Sequence, residues 1–326
     1  MREGSVRTAD PSTLPATPGE SLVAIYKAAG YEAWQDLGVV WRTAGRLAIT
    51  AEPGGAVSDA SAAEIRDLLR RRRRLAAIFC TVGPSGKSVP LFHAEAGAQQ
   101  SGSVKRQFLQ QVRKAQARCR ITQISPEDWA SLALACDRSA FRRQGKAEAP
   151  MLRLPERERL AQTALRAPGV EIFGCFAGDK LIAYFLGLVQ AGVCHGLLMH
   201  WDEAFAGWHP TQLLYHELMT RQLDRPDIDE LRIGRQAIPA NEGLDRFKRY
   251  AGFASRPSHV AVLVHPRVAP VIETRLMSVA LNRLRKWLPP HWPGVAALEV
   301  LELAWPSRCA LQNSGDPTGK TLKGRQ

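Results

Sequence analysis

The stretch Val170-Glu171-Ile172-Phe173-Gly174-Cys175-Phe176-Ala177-Gly178-Asp179-Lys180-Leu181-Ile182-Ala183 decides how the chain is read. Val170–Ala177 is a short run rich in β-branched and aromatic residues, the composition of a strand. Gly178-Asp179 is a turn pair, and Leu181–Val189 is a second apolar run, so the two read as a hairpin. Val193–His200 follows as a third strand. Pro210–Leu223 carries proline at its start, where a helix tolerates it. Glu230–Ile233 is a short strand ended by Gly234, Leu244–Ala251 a short helix stopped by Gly252, and His259–Val264 a final strand. The order from residue 170 is strand, strand, strand, helix, strand, helix, strand.

Upstream, Ser21–Asp36 reads as a helix, and Val39–Arg42 with Leu47–Thr50 as a hairpin around Ala44-Gly45. Ser61-x-x-Glu64 is a capping box before Ile65, Leu68 and Leu69, so a helix starts there and runs into Arg70–Arg74. Ala76–Val82 reads as a strand. Ser103–Cys119 is the clearest amphipathic helix: Val104, Phe108, Val112, Ala115 and Cys119 fall within an arc of roughly 80° at ~100° per residue. Lys105, Arg106, Arg113, Lys114 and Arg118 lie outside that arc with no acidic residue among them. Arg120–Ile124 reads as a strand. Ser125-Pro126 starts a helix with Trp129, Leu132 and Cys136 as its buried face. Pro155–Arg166 and Arg267–Leu288 read as further helices.

The 326 residues are 45% hydrophobic and 23% charged, the profile of a packed globular protein with room for two domains. No apolar run reaches the ~18 residues of a membrane span. The first twenty residues mix Arg2 and Arg7 with Glu3, Asp10 and Glu20 and have no apolar centre, unlike a secretion signal. Six cysteines without a CxxC pair read as reduced small hydrophobes, with the cytoplasm as the default compartment. Of the net charge of +13, residues 101–160 hold +7. That concentration suits an anionic ligand such as CoA, tRNA, a nucleotide sugar or an acidic membrane surface, or else a solubilising helix face. Gly86-Lys87-Ser88 fails as a phosphate loop, because Thr81 stands where its first glycine belongs and Pro90 where its helix begins. His216-Glu217 fails as a zinc motif, because Thr220 replaces the second histidine. No metal is expected.

The strand and helix order resembles the GNAT superfamily, and particular residues carry the likeness. Phe173–Ala183 is similar to that family's central hairpin. Pro210-Thr211-Gln212-Leu213-Leu214 looks like the start of its donor helix, and Phe247-Lys248-Arg249-Tyr250-Ala251-Gly252-Phe253 like its closing "helix then GF" signature. Lys105-Arg106-Gln107-Phe108 with Val112-Arg113-Lys114-Ala115, and Phe141-Arg142-Arg143-Gln144-Gly145, resemble the FemAB-like and BioF2-like branch. The likeness covers roughly residues 100–265. It implies an α/β (α+β) GNAT fold in tandem, with a degenerate GNAT-like half at 20–125 and a GNAT acyltransferase domain at 126–265; composition makes 1–19 a disordered leader and 312–326 a disordered tail, with a helical extension at 266–311.

The resemblance also implies roles. Acyl transfer to an amine needs a positioned donor, hydrogen-bond donors for the oxyanion and a proton acceptor. The Trp208-His209-Pro210-Thr211 start offers free backbone N–H groups to the donor's phosphates. Gly207, His209, Thr211, Gln212 and Arg249 are the expected donor contacts, and only Gly207 stands near the family's phosphate loop, which leaves room for aminoacyl-tRNA in place of acyl-CoA as cosubstrate. Lys248 occupies the position where simpler GNAT enzymes hold a proton-donating tyrosine, four before the glycine of "GF". It is expected to stabilise the oxyanion or leaving group, with His200 and Asp202 as candidate bases beside Glu203 and Glu217. Arg106, Arg113, Arg235 and Tyr215 are expected to meet the acceptor, Trp201 and Trp208 to floor its site, and at most one of Tyr215 and His216 to line the cleft. The implied partners are acyl-CoA or aminoacyl-tRNA, an amine-bearing acceptor and an anionic membrane surface. A non-catalytic RNA-binding or anion-binding protein is the rival of another class.

Overall fold

The computed structural model describes residues 17–44, 47–52, 56–57, 62–81, 87–96, 104–144, 149–236 and 241–272. In chain order its elements begin α1 (Pro18–Ala28), β1 (Ala33–Asp36), β2 (Val39–Ala44), β3 (Ala48–Glu52), β4 (Ala56–Val57), α2 (Ala62–Arg72), β5 (Ala76–Thr81) and β6 (Lys87–Glu95). Then come α3 (Arg106–Gln116), β7 (Arg120–Gln123), α4 (Pro126–Leu132), α5 (Leu134–Arg143) and α6 (Leu154–Arg166). β8 (Val170–Ala177), β9 (Lys180–Gln190), β10 (Val193–Trp201), α7 (Pro210–Leu223), β11 (Glu230–Arg235), α8 (Glu242–Tyr250), β12 (Ala254–Val264) and α9 (Ala269–Ile272) complete them. The chain forms two compact units, one from residues 1–33 and 95–231, the other from 34–94 and 232–326, and neither is a contiguous half.

In the first unit β7, β8, β9 and β10 pair antiparallel in sequence order. The β8–β9 hairpin sets Val170 opposite Leu188 and Ala177 opposite Lys180, around Gly178 at φ 57°. β9 is buried from Leu181 to Leu188, so both its faces are covered and its sequence reads as an unbroken apolar run rather than an alternating one. Ile172, Tyr184 and Leu186 pack with Trp129, Cys136, Phe141, Leu160 and Ala161 of α4, α5 and α6, joined by Ile25 and Ala28 of α1. α7 packs on β8, β9 and β10, burying Leu213, Leu214 and Leu218.

In the second unit the strand order is β1-β2-β3-β5-β12-β6, with β4 beside β5. β3 runs parallel to β5, and β12 runs antiparallel to both its neighbours. Ile65, Leu68 and Leu69 of α2 pack on Trp41, Ile49, Phe79 and Leu263. Pro90 faces Pro257 across the β6–β12 ladder. Two residues without N–H groups can face each other only at a non-hydrogen-bonded pair, so neither proline costs the β6–β12 ladder a bond.

Several expectations need correction. The helix expected over Ser21–Asp36 stops at Ala28: Gly30 sits at φ 88° and Ala33–Asp36 is strand β1. The helix begun at Ser125 breaks at Ala133 into α4 and α5, which takes Leu132 off the buried face and leaves it 41% exposed. Val104 and Cys119 lie beyond the ends of α3, whose buried residues are Phe108, Val112 and Ala115. Strand β6 has no counterpart in the sequence reading, where Pro90 counts only against a phosphate loop; it carries the Lys87-Ser88 pair of that failed motif on a strand. Ser61, Gly145, Gly86, most of the leader, the extension beyond residue 272 and the tail lie outside the described residues.

Gly169 leads into β8 at φ 80°, and a Cβ there would collide with the carbonyl oxygen of Val189. Gly169→Ala is expected to destabilise the protein by ~2–3 kcal/mol, combining the left-handed backbone with the clash. Urea unfolding checks it: the midpoint should fall with an unchanged slope.

Candidate active site

In the first unit four polar side chains sit where an apolar core would be expected. Asp137 on α5, Arg157 on α6 and Tyr184 on β9 are fully buried, and His200 on β10 is 6% exposed. His200 and Tyr184 are direct cross-strand partners and so lie on one face of the sheet. Asp137 is the hub. One carboxylate oxygen accepts from Arg157 Nη1. The other accepts from the Tyr184 hydroxyl at 2.5 Å and meets His200 Nδ1 at 2.6 Å.

Arg157 is held from every side. Its Nε donates to the Ala130 carbonyl at 2.9 Å, Nη2 to Trp129 at 3.1 Å and Nη1 also to Met151 at 3.3 Å, and its guanidinium lies 5.0 Å from the Trp129 ring centre. A buried pair of this kind survives because the remaining N–H groups are satisfied. Burial, and then the neighbouring Asp137 charge, push the Tyr184 phenol well up, so it stays a neutral donor. Because an ionised carboxylate only accepts, His200 Nδ1 carries the proton. Among the described residues Nε2 has no hydrogen-bond partner, so the pair presents a basic nitrogen oriented by a carboxylate from behind. Neither Asp137, Arg157 nor Tyr184 is among the site residues expected from the sequence.

Asp202, a candidate base, is otherwise engaged: one oxygen accepts from Lys180 Nζ at 3.1 Å and the other caps the N–H of Ala204. It starts a 3-10 helix, Glu203–Trp208, which contains Gly207. Arg143 lies over Trp201 at 4.0 Å, Lys180 over Phe205 at 4.5 Å and Arg118 over Trp208 at 5.5 Å, so cations hold this segment along its length. It delivers His209 as the N-cap of α7 in a left-handed conformation, φ 59°, a strain for a non-glycine residue. Burial, then the positive charge of Lys114, lower the His209 pKa. The start of α7 therefore has free backbone N–H groups and an ammonium beside it. Thr211 Oγ1 donates to Gln212 Oε1 at 2.9 Å, and Gln212 Nε2 donates to Gln111 of α3 at 3.4 Å. Arg106 and Arg113 are exposed on α3, while Tyr215 is buried with its phenol pushed up by desolvation.

Lys248, Arg249 and Arg235 belong to the second unit. Lys248 on α8 is 4% exposed, with its ammonium 4.6 Å from the Phe92 ring centre and Arg249 5.8 Å from the same ring. Arg235 donates to Cys80 Sγ at 3.1 Å. Burial lowers the Lys248 pKa to about 8, opposed by the charge of Asp245. The cause is desolvation rather than the neighbouring arginines. A lysine that loses its proton more readily when folded opposes folding while it is charged. Its penalty is full below pH 8 and fades as pH rises to the ordinary lysine value of 10.5, where the unfolded chain also gives up the proton. Unfolding free energy of the native protein relative to Lys248→Met should therefore rise across pH 8–10.5, by on the order of 3 kcal/mol. Parallel pH curves for the two proteins would show Lys248 to be hydrated.

Residues 102–249 match the family model described as an Acetyltransferase (GNAT) domain. No curated protein matches the chain. Among solved structures, L-PGS from Bacillus licheniformis is similar at 11% identity and TM-score 0.52, over 84% of this chain and 96% of that one. FemX is similar at 9% identity and TM-score 0.50, over 77% and 93%. At such identities the likeness is one of fold. The family match lies over both the Asp137–His200 pair and the start of α7, so residues 102–249 are similar to a GNAT acetyltransferase domain, in a fold like those of L-PGS and FemX.

Proposed function

We propose that the chain transfers an acyl group from an acyl-CoA to an amine, with His200 as the general base. The observation that carries this reading is the Asp137–His200 contact at 2.6 Å within the region matched to the GNAT domain. His200 Nε2 takes the proton of the attacking amine, Asp137 holds the imidazole in the productive tautomer, and the thioester carbon–sulfur bond breaks as the amide forms. The start of α7, with His209, Thr211, Gln212 and Gly207, and Lys114 of α3 with Arg118 just beyond it, receives the donor's phosphates. Arg106, Arg113 and Tyr215 are proposed on the acceptor side, with Arg235 and Arg249 as anion contacts. Lys248 is proposed as the cation for the oxyanion or the proton source for the leaving thiolate, a role its pKa of about 8 suits. The chain acts in the cytoplasm in this reading, and the tandem division at residues 125 and 126 describes its origin from two GNAT-like halves.

His200→Gln keeps the ring's approximate volume and removes the base. It should lower kcat by about 10²–10⁴-fold with a nearly constant donor Kd, measured with acetyl-CoA and a panel of amines. Unchanged turnover would remove His200 from the mechanism. Lys248→Met should lower kcat by ~10²–10³-fold.

One observation favours a second donor, aminoacyl-tRNA, with a cell-envelope amine as acceptor. The Glu203–Trp208 3-10 helix occupies the place of the glycine-rich phosphate loop, and the exposed cations of α3 suit a larger polyanion. Replacing Lys105, Arg106, Arg113 and Lys114 with glutamine should lower the slope of log K against log salt by ~0.7–0.9 for each phosphate that is no longer neutralised. A change seen with charged tRNA and not with acyl-CoA selects the second donor, while anion binding without turnover of either donor selects the non-catalytic rival.

A further inference from the structure

The second unit carries an exposed apolar pair inside a cluster of arginines. Leu47 is 62% exposed and Leu75 38% exposed. The Leu75 and Ala76 N–H groups both donate to the Leu47 carbonyl, at 2.7 and 3.3 Å, and Ala48 pairs with Ala76 in the parallel β3–β5 ladder. The two leucines therefore stand side by side at one end of the sheet. Arg70–Arg74 closes α2 immediately before Leu75, and exposed Arg267 follows His265, whose N–H donates to the Leu75 carbonyl at 2.7 Å.

These arginines are not equivalent. Arg71 is paired with Asp67 and Asp36, and Arg72 stacks over Trp34. Among the described residues Arg70, Arg73 and Arg267 form no ion pair, and all three are exposed. Arg73 ends the helix at φ 51°, in the left-handed position that glycine fills without steric cost. An arginine there keeps a charge at the corner where the backbone favours glycine.

We infer that the Leu47–Leu75 corner, with Arg70, Arg73 and Arg267, is a docking surface for an anionic lipid bilayer. Unpaired guanidinium groups meet lipid phosphates, and the leucine side chains enter the apolar boundary beneath them. A nucleic acid would use the charges and leave both leucines in water. A second copy docked through the same corner would bring like charges together. Among the described residues no helix is long and apolar enough to cross a membrane, so this contact is peripheral.

Co-sedimentation of the full chain with vesicles of phosphatidylcholine, with and without phosphatidylglycerol, tests the inference. Binding is expected only with phosphatidylglycerol, falling as salt rises. Arg70→Gln with Arg73→Gly should weaken it by about 25-fold, at roughly fivefold per arginine. Arg73→Gly relieves the left-handed strain, so thermal stability should hold or rise while lipid binding falls, which separates an effect of charge from an effect of unfolding. Leu47→Ser should weaken binding several-fold, and Leu47→Trp should fluoresce and be quenched by lipids brominated on the acyl chain. Three results would overturn the inference: no binding to phosphatidylglycerol vesicles, binding indifferent to Leu47→Ser, or equal affinity for single-stranded RNA that ignores the leucines.

Discussion

The buried contact between Asp137 and Arg157 is the constraint on which the first unit depends. Two charges removed from water oppose the fold unless each is fully met. Here the guanidinium is met by three backbone carbonyls, an indole face and the carboxylate, and the carboxylate by the guanidinium, a phenol and an imidazole. These partners come from α4, α5, α6, β9, β10 and the turn at Met151. Satisfying one ion pair thus fixes how three helices sit on two strands. It also fixes the imidazole, because Asp137 has one oxygen left after Arg157 and gives it to Tyr184 and His200. Structural and chemical demands converge on a single carboxylate.

Among the described residues the second unit has no such hub. Its aromatic and aliphatic core, from Trp41 and Phe79 to Leu263, follows the alternation of its strands. Of its buried charged side chains, Asp245 accepts from Gln236, whereas Lys248 faces the Phe92 ring and loses its proton more readily through desolvation, against the Asp245 charge. The first unit meets its buried ion pair by direct hydrogen bonding throughout, and the second also tolerates an ammonium whose ionisation burial weakens.

The strands and helices from residue 170 onward are legible in the sequence because β8 and β9 are apolar runs of strand composition around the Gly178-Asp179 turn, and α7 opens at Pro210. The early helix over Ser21–Asp36 reads too long because apolar residues on either side of Gly30 carry the helical pattern past it. Strand β6 is hidden because a proline in the middle of a run argues against a central strand, and only the structure shows Pro257 opposite Pro90. The candidate site is half legible. His200 stands out at the end of a strand, but Asp137 and Arg157 read as solvated charges on amphipathic helices. Their signal is positional: Asp137 falls with Cys136, Ala140 and Phe141, and Arg157 with Leu160, Ala161 and Ala164, on the apolar stripes themselves. An acid and a base each interrupting an apolar stripe are candidates to meet, but periodicity cannot say which helices are neighbours.

The interleaving of the two units along the chain has a consequence for biogenesis. β5 of the second unit is completed by β12, whose His259 carbonyl accepts from Thr81, a partner 178 positions away. The ribosome makes Ala76–Thr81 early and supplies that partner only near the end of the described chain. In the interval the first unit's strands emerge and can pair in sequence order, while β5 waits with an apolar edge open. Assembly is thus ordered by synthesis, the first unit closing ahead of the second. The long wait of β5 is the stage at which a holding chaperone has most to do, since unpaired strand edges are the surfaces on which nascent chains aggregate.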